Sequence, residues 1–152
     1  MPEVSPWNER VVTEFRANCG QVGGEYSGYL MILVHNVGAR SGRSRINPLV
    51  YQAVGKDFAL FASKRGAPRH PDWYYNLRAN PDTVVEVGTA TGTEVIEVRA
   101  REAEGEERAR IWAAQKAAMP VFREYEAVAG RIIPVLLLNA SDPAGRRALQ
   151  PA

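Results

Sequence analysis

Cysteine and histidine are nearly absent from this chain of 152 residues: there is one cysteine, Cys19, and two histidines, His35 and His70. One cysteine excludes an intrachain disulfide, and three such residues do not make a structural zinc site of the usual kind, so no metal is expected. Long apolar runs are also missing. The longest, Tyr29–Val34 and Ile132–Leu138, are far too short to span a bilayer. The start, Met1-Pro2-Glu3-Val4-Ser5-Pro6, lacks the charged and apolar regions of a signal peptide, so a cytoplasmic protein is expected. No Gly-x-Gly-x-x-Gly, no Gly-x4-Gly-Lys-Ser/Thr and no Gly-x-Ser-x-Gly occurs. A dinucleotide fold, a P-loop and a nucleophile elbow therefore have no support. If the chain is an enzyme, a cofactor carries the chemistry.

What is present is an ordinary globular composition, 45% hydrophobic and 24% charged, enough for one packed domain. The net charge is only +2, but it is unevenly spread. Between Gly38 and Arg78 stand eight bases (Arg40, Arg43, Arg45, Lys56, Lys64, Arg65, Arg69, Arg78) and two acids (Asp57, Asp72), a balance of +6. The remaining eleven bases and fifteen acids give −4. The middle of the chain is built to meet negative charge.

Local patterns predict the elements. Ser5-Pro6 reads as a helix start, and Trp7, Val11, Phe15 and Cys19 recur every four residues as an apolar face. Tyr29–Val37, Arg45–Val54 and Phe58–Ser63 read as a three-strand meander, with Pro48 marking a bulge or an edge. Asp72 caps a short helix to Ala79. Thr83–Val87 and Thr93–Arg101 form a hairpin with one wet face. Helices over Ala103–Ala118 and Val121–Ala129 precede a last buried strand, Ile132–Asn139. Six short strands with few crossover helices predict a mainly β chain with flanking helices (α+β), an antiparallel barrel with helices outside. The expected organisation is an N-terminal helical extension over 1–24, the barrel over 25–140 and a tail over 141–152.

Two segments carry chemical information. In Gly38-Ala-Arg-Ser-Gly-Arg-Ser-Arg-Ile-Asn-Pro-Leu-Val-Tyr51, two glycines permit a tight turn crowded by Arg40, Arg43 and Arg45. Guanidinium forks suit phosphates and carboxylates, and three like charges this close call for an anion; a solvated basic hairpin tip is the plain alternative. In Ser63-Lys-Arg-Gly-Ala-Pro-Arg-His-Pro-Asp-Trp-Tyr-Tyr-Asn-Leu77, Lys64 follows a strand, Gly66 allows close approach, and three aromatics open a helix. Packing alone would also explain those aromatics. A basic patch beside aromatics also fits single-stranded nucleic acid, but two compact turns and a modest net charge argue against that partner.

Together these segments resemble the deazaflavin-dependent nitroreductase family, a branch of the split-barrel flavin and deazaflavin oxidoreductases. The resemblance rests on Gly-x-x-Ser-Gly-x-x-Arg with Asn-Pro-Leu-Val-Tyr, and on Ser-Lys-x-Gly-Ala-Pro-x-His-Pro-x-Trp-Tyr-x-Asn-Leu-x-Ala-Asn-Pro. Val85–Gly88, Ala103–Arg108 and Arg131–Val135 extend it from Leu30 to Leu138. It implies a split β-barrel of FMN-binding-like fold. It also implies coenzyme F-420, an 8-hydroxy-5-deazaflavin with a phospholactyl-polyglutamate tail, as cofactor.

By position, Arg40, Ser41, Arg43, Arg45 and Lys64 would hold the phosphate and tail. Asn47, Pro48, Leu49, Val50 and Ser63 would wall the ring, and Trp73, Tyr74 and Asn76 would flank it. Hydride would pass to an activated alkene, a quinone or a nitro compound. Where nitroreductase members carry three tyrosines, this chain has Met119, Phe122 and Tyr125, so Tyr125 is the expected proton or hydrogen-bond donor and apolar acceptors are favoured. Ala39 replaces a common base. FMN as cofactor, and a non-catalytic deazaflavin carrier, remain the alternatives. Monomer and homodimer are both open; the first helix has an apolar face that could touch a membrane surface, but Glu3, Glu9 and Glu14 offset Arg10 and Arg16, so packing on the barrel or a partner is favoured.

Overall fold

The computed structural model describes residues 2–140. Helix α1 (Pro6–Ala17) starts as expected, with Ser5 Oγ accepting from the Asn8 N–H at 3.2 Å and Pro6 in the first position. Val11, Val12 and Phe15 are buried, whereas Trp7 is 77% exposed and Cys19 lies past the helix with φ 54°. Geometry explains the correction. A four-residue spacing drifts by roughly 40° per step on a helix of 3.6 residues per turn. Trp7 therefore drifts off the face formed by Val11, Val12 and Phe15, and Cys19 leaves it because the helix ends at Ala17.

The strands are β1 (Met31–Val37), β2 (Ser44–Val50), β3 (Gln52–Val54), β4 (Asp57–Phe61), β5 (Asp82–Gly88), β6 (Thr93–Glu102) and β7 (Val135–Ala140). Their order in the sheet is β2-β1-β5-β6-β7-β4-β3, and every pair is antiparallel. Strands β2 and β3 lie at opposite edges, yet only Tyr51 separates them in sequence. One residue spans only a few ångströms, so the two edges must meet and the sheet must curl into a barrel split along that line.

The expected meander does not form. Strand β2 pairs with β1 and β3 pairs with β4, but β2 and β3 part company at Tyr51. Pro48 stays inside β2 opposite Leu33, tolerated because β2 is an edge. The strand count is therefore seven among the described residues, not six. Ile132 is 77% exposed and precedes Pro134, so β7 starts at Val135.

Strand alternation sorts the core into layers. Ile32, Val34, Val85, Ile96, Leu136 and Leu138 fill the barrel, capped by Trp73 and Leu77 of α2 (Asp72–Ala79). Phe61, Val135 and Leu137 face outward against α3 (Gly105–Ala118) and α4 (Val121–Ala129). Met31, Leu33 and Ile46 face outward against Val11, Val12 and Phe15 of α1. Strands β1 and β7 are apolar on both faces because both faces are covered. Strand β6 alternates, with Ile96 and Val98 buried and Val95 half exposed. The N-terminus adds one bridge to the β2 edge: Glu3 N–H donates to the Ser44 carbonyl at 2.7 Å, and Ile46 N–H to the Glu3 carbonyl at 3.0 Å. No described helix is long and apolar enough to cross a membrane. The expected tail, 141–152, lies outside the described residues.

Candidate functional site

The β1–β2 turn is closed by Gly38 N–H to the Arg43 carbonyl and Gly42 N–H to the Gly38 carbonyl, both at 2.9 Å. A Cβ on Gly38 would stand 2.4 Å from Ser41 Oγ, so a larger residue there would require the Ser41 side chain to move. The turn is tied to α2 through Ala39, whose N–H donates to Asn76 Oδ1 at 2.9 Å. Asn76 Nδ2 donates to Asn36 Oδ1, and Asn36 Nδ2 to Asn47 Oδ1, each at 2.9 Å. Three carboxamides thus chain α2, β1 and β2 together. Asn36 and Asn76 are buried, where an unpaired amide would be costly, so the chain of bonds fixes the relative placement of these elements.

Opposite this turn runs the β4–α2 loop. Lys64, Arg65 and Gly66 have φ of 47°, 55° and 84°, three successive left-handed residues. Each non-glycine there costs roughly 1–2 kcal/mol, so the surroundings must enforce the shape. Gly66 cannot be larger, because a Cβ would stand 2.6 Å from Val128 Cγ2 and 3.2 Å from Tyr125 Cα of α4. Arg131 reaches across from the α4–β7 connection. Its guanidinium donates to the carbonyls of Ala67 (3.0 Å), Ala62 (3.2 Å), Ser63 (3.0 Å) and Arg69 (2.9 Å), and to His70 Nδ1 (2.7 Å). A guanidinium only donates, so Nδ1 accepts and the neutral imidazole carries its hydrogen on Nε2. Burial, then the Arg131 charge, push the His70 pKa below its ordinary value.

Between the two loops lies a cleft of about 980 Å³ lined by Arg40, Ser41, Arg45, Lys64, Arg69, His70, Tyr75, Asn76 and Arg131. It adjoins a space of about 620 Å³ walled by Glu3, Ser5, Asn8, Asn47 and Trp73, the two sharing Arg45, Lys64, Asp72 and Asn76. Five cations (Arg40, Arg45, Lys64, Arg69, Arg131) face one carboxylate, Asp72, in the larger part. Asp72 stands 4.0 Å from Arg45 Nη1, at the limit of an ion pair. Buried Arg45 Nε has no hydrogen-bond partner among the described residues. The arrangement can hold an anion with several charged oxygens.

Of the residues expected to hold a ligand, Arg40, Ser41, Arg45, Lys64 and Asn76 line the larger cleft, and Asn47 and Trp73 the smaller. Arg43 turns outward to Glu3 at 3.1 Å. Pro48 is half-buried in the edge strand, Leu49 packs on the barrel interior and Val50 on the α1 layer. Ser63 is buried, and its carbonyl accepts from Arg131 and from the Gly66 N–H. Tyr74 points elsewhere: its hydroxyl donates to Glu102 Oε1 at 2.6 Å, beside a separate cavity of about 430 Å³. Its neighbour Tyr75 lines the cleft instead, on the helix stripe of Asp72 and Asn76.

Met119, Phe122 and Tyr125 line neither part of the cleft. Phe122 is buried among Phe61 (5.6 Å), Trp112 (6.1 Å) and Tyr125 (5.2 Å), and Met119 Sδ accepts from Gln115 Nε2 at 3.4 Å. Tyr125 stands on the part of α4 that packs on the Lys64–Gly66 turn. Sequence reading assigned no role to Arg69, His70, Tyr75, Arg131 or the Glu3–Asn8 wall. A signal for Arg131 existed: it is a lone base between Val128-Ala-Gly and Ile-Ile-Pro134, where a charge must find internal partners.

A split antiparallel barrel with a cationic cleft at the mouth of its β1–β2 and β4–α2 loops defines a split-barrel protein equipped for a polyanionic ligand. The chain belongs to the F420H(2)-dependent quinone reductase family, whose model matches residues 7–140. An F420H(2)-dependent quinone reductase of Mycobacterium tuberculosis is 35% identical over 96 residues, covering 57% of this chain. The match spans 64% of that relative's length, just under two thirds. A solved structure of an F420-H2 dependent reductase (FDR-A) is 38% identical with a TM-score of 0.63, covering 72% of this chain and 93% of the other. A second solved structure, described as a domain-swapped dimer, is 34% identical with a TM-score of 0.64, over 88% and 97% of the two chains.

Proposed function

We propose that this chain is a coenzyme F-420-dependent reductase whose acceptor is a quinone. The observation that carries the reading is the charge of the larger part of the cleft: five cations, one carboxylate and a buried unpartnered Arg45 Nε. That donor set fits a phosphodiester followed by several carboxylates. Arg40, Arg45 and Lys64 would hold those oxygens, with Ser41 as a further donor. Asn47, Asn76 and Trp73 would orient the ring, and the amide chain through Asn36 keeps them from shifting.

When bound, the reduced deazaflavin supplies a hydride at C5. The chain's own contribution is orientation and water exclusion, which can lower a barrier by as much as ~7–11 kcal/mol in ideal cases. Reduction of a quinone also takes up a proton, so a donor must face the developing oxyanion. Our candidate is Tyr125, which lines neither part of the cleft but stands on the stretch of α4 packed against the Lys64–Gly66 turn that borders it. Arg43, Pro48, Leu49, Val50, Ser63 and Tyr74 act by shaping the strands and loops that carry the contacting residues. Met119 and Phe122 pack against α3 and β4 and give the cleft no hydroxyl; activated alkenes rank second and nitro compounds last.

Fluorescence titration with oxidised F-420, with FMN as competitor, tests the cofactor. Saturable binding that FMN does not displace is expected, weakened by Arg45→Ala or Lys64→Ala. No binding, or displacement by FMN, rejects it. A quinone assay tests the acceptor: binding without turnover would mean a carrier. Tyr125→Phe should lower turnover about a hundredfold if Tyr125 gives the proton, and an unchanged rate removes that role.

A further inference from the structure

Arg131 borders the cleft, yet it differs from the other cations there. All five of its N–H groups are engaged by protein acceptors, four backbone carbonyls and His70 Nδ1. None is left for a ligand. Those acceptors bracket the left-handed turn on both sides: Ala62 and Ser63 before it, Ala67, Arg69 and His70 after it. The turn itself has only two short internal bonds, Gly66 N–H to Ser63 and Ala67 N–H to Lys64, at 2.9 and 3.1 Å. Lys64 sits in that turn and lines both parts of the cleft, with no ion-pair partner among the described residues.

We propose that Arg131 is a positioning residue: its guanidinium clasps the 62–70 loop and thereby sets the Lys64 ammonium over the cleft, without touching the ligand. This rests on the F-420 reading for its ligand but not for its geometry. The clasp also fixes His70 with its hydrogen on Nε2, consistent with burial and the Arg131 charge lowering the His70 pKa. Lysine at position 131 keeps the charge and loses the planar fork, so it separates electrostatics from clasping.

The test is a double-variant cycle on the full chain, read by fluorescence titration with oxidised F-420. Arg131→Lys should raise Kd about tenfold when Lys64 is present, and less than about threefold in the Lys64→Ala background, because the two act as one unit. Equal effects in both backgrounds overturn the proposal. So does a lower Tm with unchanged affinity, the outcome of a merely structural role. If Arg131→Lys does not fold, His70→Ala removes one of the five acceptors and must show the same dependence on Lys64; additivity again overturns it.

A readout without ligand keeps the clasp separate from the cofactor reading. In the apo protein, Arg131→Lys should speed hydrogen exchange at the Gly66 and Ala67 amides at least several-fold while the β5–β6 amides stay slow. Unchanged exchange overturns the clasp. A wild-type chain that binds no F-420 rejects the cofactor alone.

Discussion

Two clusters of charge, on different faces of the barrel, are solved in opposite ways. Under α1, Glu86 of β5 is only 6% exposed, and Arg16 grips it with two bonds at 2.9 and 2.8 Å. His35 Nε2 completes the cluster at 2.7 Å, and Thr83 Oγ1 donates to the His35 carbonyl. Burial alone would raise the Glu86 pKa, but the bonds from Arg16 and His35 outweigh it and hold it below its ordinary value. In the cleft, Arg40, Lys64 and Arg69 have no such partner among the described residues, and Arg45 has Asp72 only at 4.0 Å. A cluster whose charges cancel holds elements together. One whose charges do not cancel is completed by something else, and that contrast is what marks the cleft as a site.

The two clusters should therefore fail differently. The largest expected effect is Arg45→Ala with Lys64→Ala, which should weaken F-420 binding at least about a hundredfold, from ~1.5–3 kcal/mol per charged hydrogen bond. Calorimetry should show Tm unchanged or slightly raised, since like charges have been removed; a large fall in Tm would erase the contrast.

Next is Arg16→Ala, which strands Glu86 with His35 alone. The expected loss is about 2 kcal/mol by denaturant unfolding, below the ~3–5 of a fully buried pair because Arg16 is half exposed. The F-420 Kd should stay the same. The same cluster sets an acid limit. A carboxylate with a depressed folded pKa stabilises the protein above its unfolded pKa, and that stability is lost as pH falls through the folded value. Stability should thus decline below about pH 4.5 in the wild type and decline less steeply in Glu86→Gln, followed by Tm against pH.

Raising salt from about 0.05 to 0.5 M should weaken F-420 binding several-fold, because exposed cleft charges are screened, while Tm moves little. The smallest effect is Arg43→Ala. Arg43 lines neither part of the cleft and its partner Glu3 is exposed, so both affinity and stability should change by less than about 0.5 kcal/mol.

Much of the scaffold was legible because local chemistry specified it. Ser5-Pro6 fixed the start of α1, and Gly88-Thr-Ala-Thr-Gly92 fixed the β5–β6 hairpin. The Gly38–Gly42 turn and Lys64 were legible as parts of a site because unbalanced charge is visible in one dimension. The parting of β2 from β3 at Tyr51 was not, since a strand pattern of period two continues across it and only the far sheet edge decides where it ends. Tyr74 and Tyr75 are chemically near-identical neighbours, and helix phase alone assigns one to Glu102 and the other to the cleft. Arg131 left only the trace of a lone base among apolar neighbours, because four of its five acceptors are backbone carbonyls, which have no side-chain identity to read.

The place of β7 has a consequence for how the molecule assembles. Early in the chain, β1–β2 and β3–β4 can each zip as neighbours, and β5–β6 can follow as a local hairpin. None of these pairings joins β6 to β4. That gap is filled only by β7, which takes β6 on one side and β4 on the other. Strand β7 is the keystone of an arch: during synthesis the barrel stays open until Val135–Ala140 emerges, and its apolar inner wall stays wet until then. A ribosome-stalled chain whose emerged part ends before Val135 should remain protease-sensitive, and one extended far enough for β7 to emerge should become resistant in a single step.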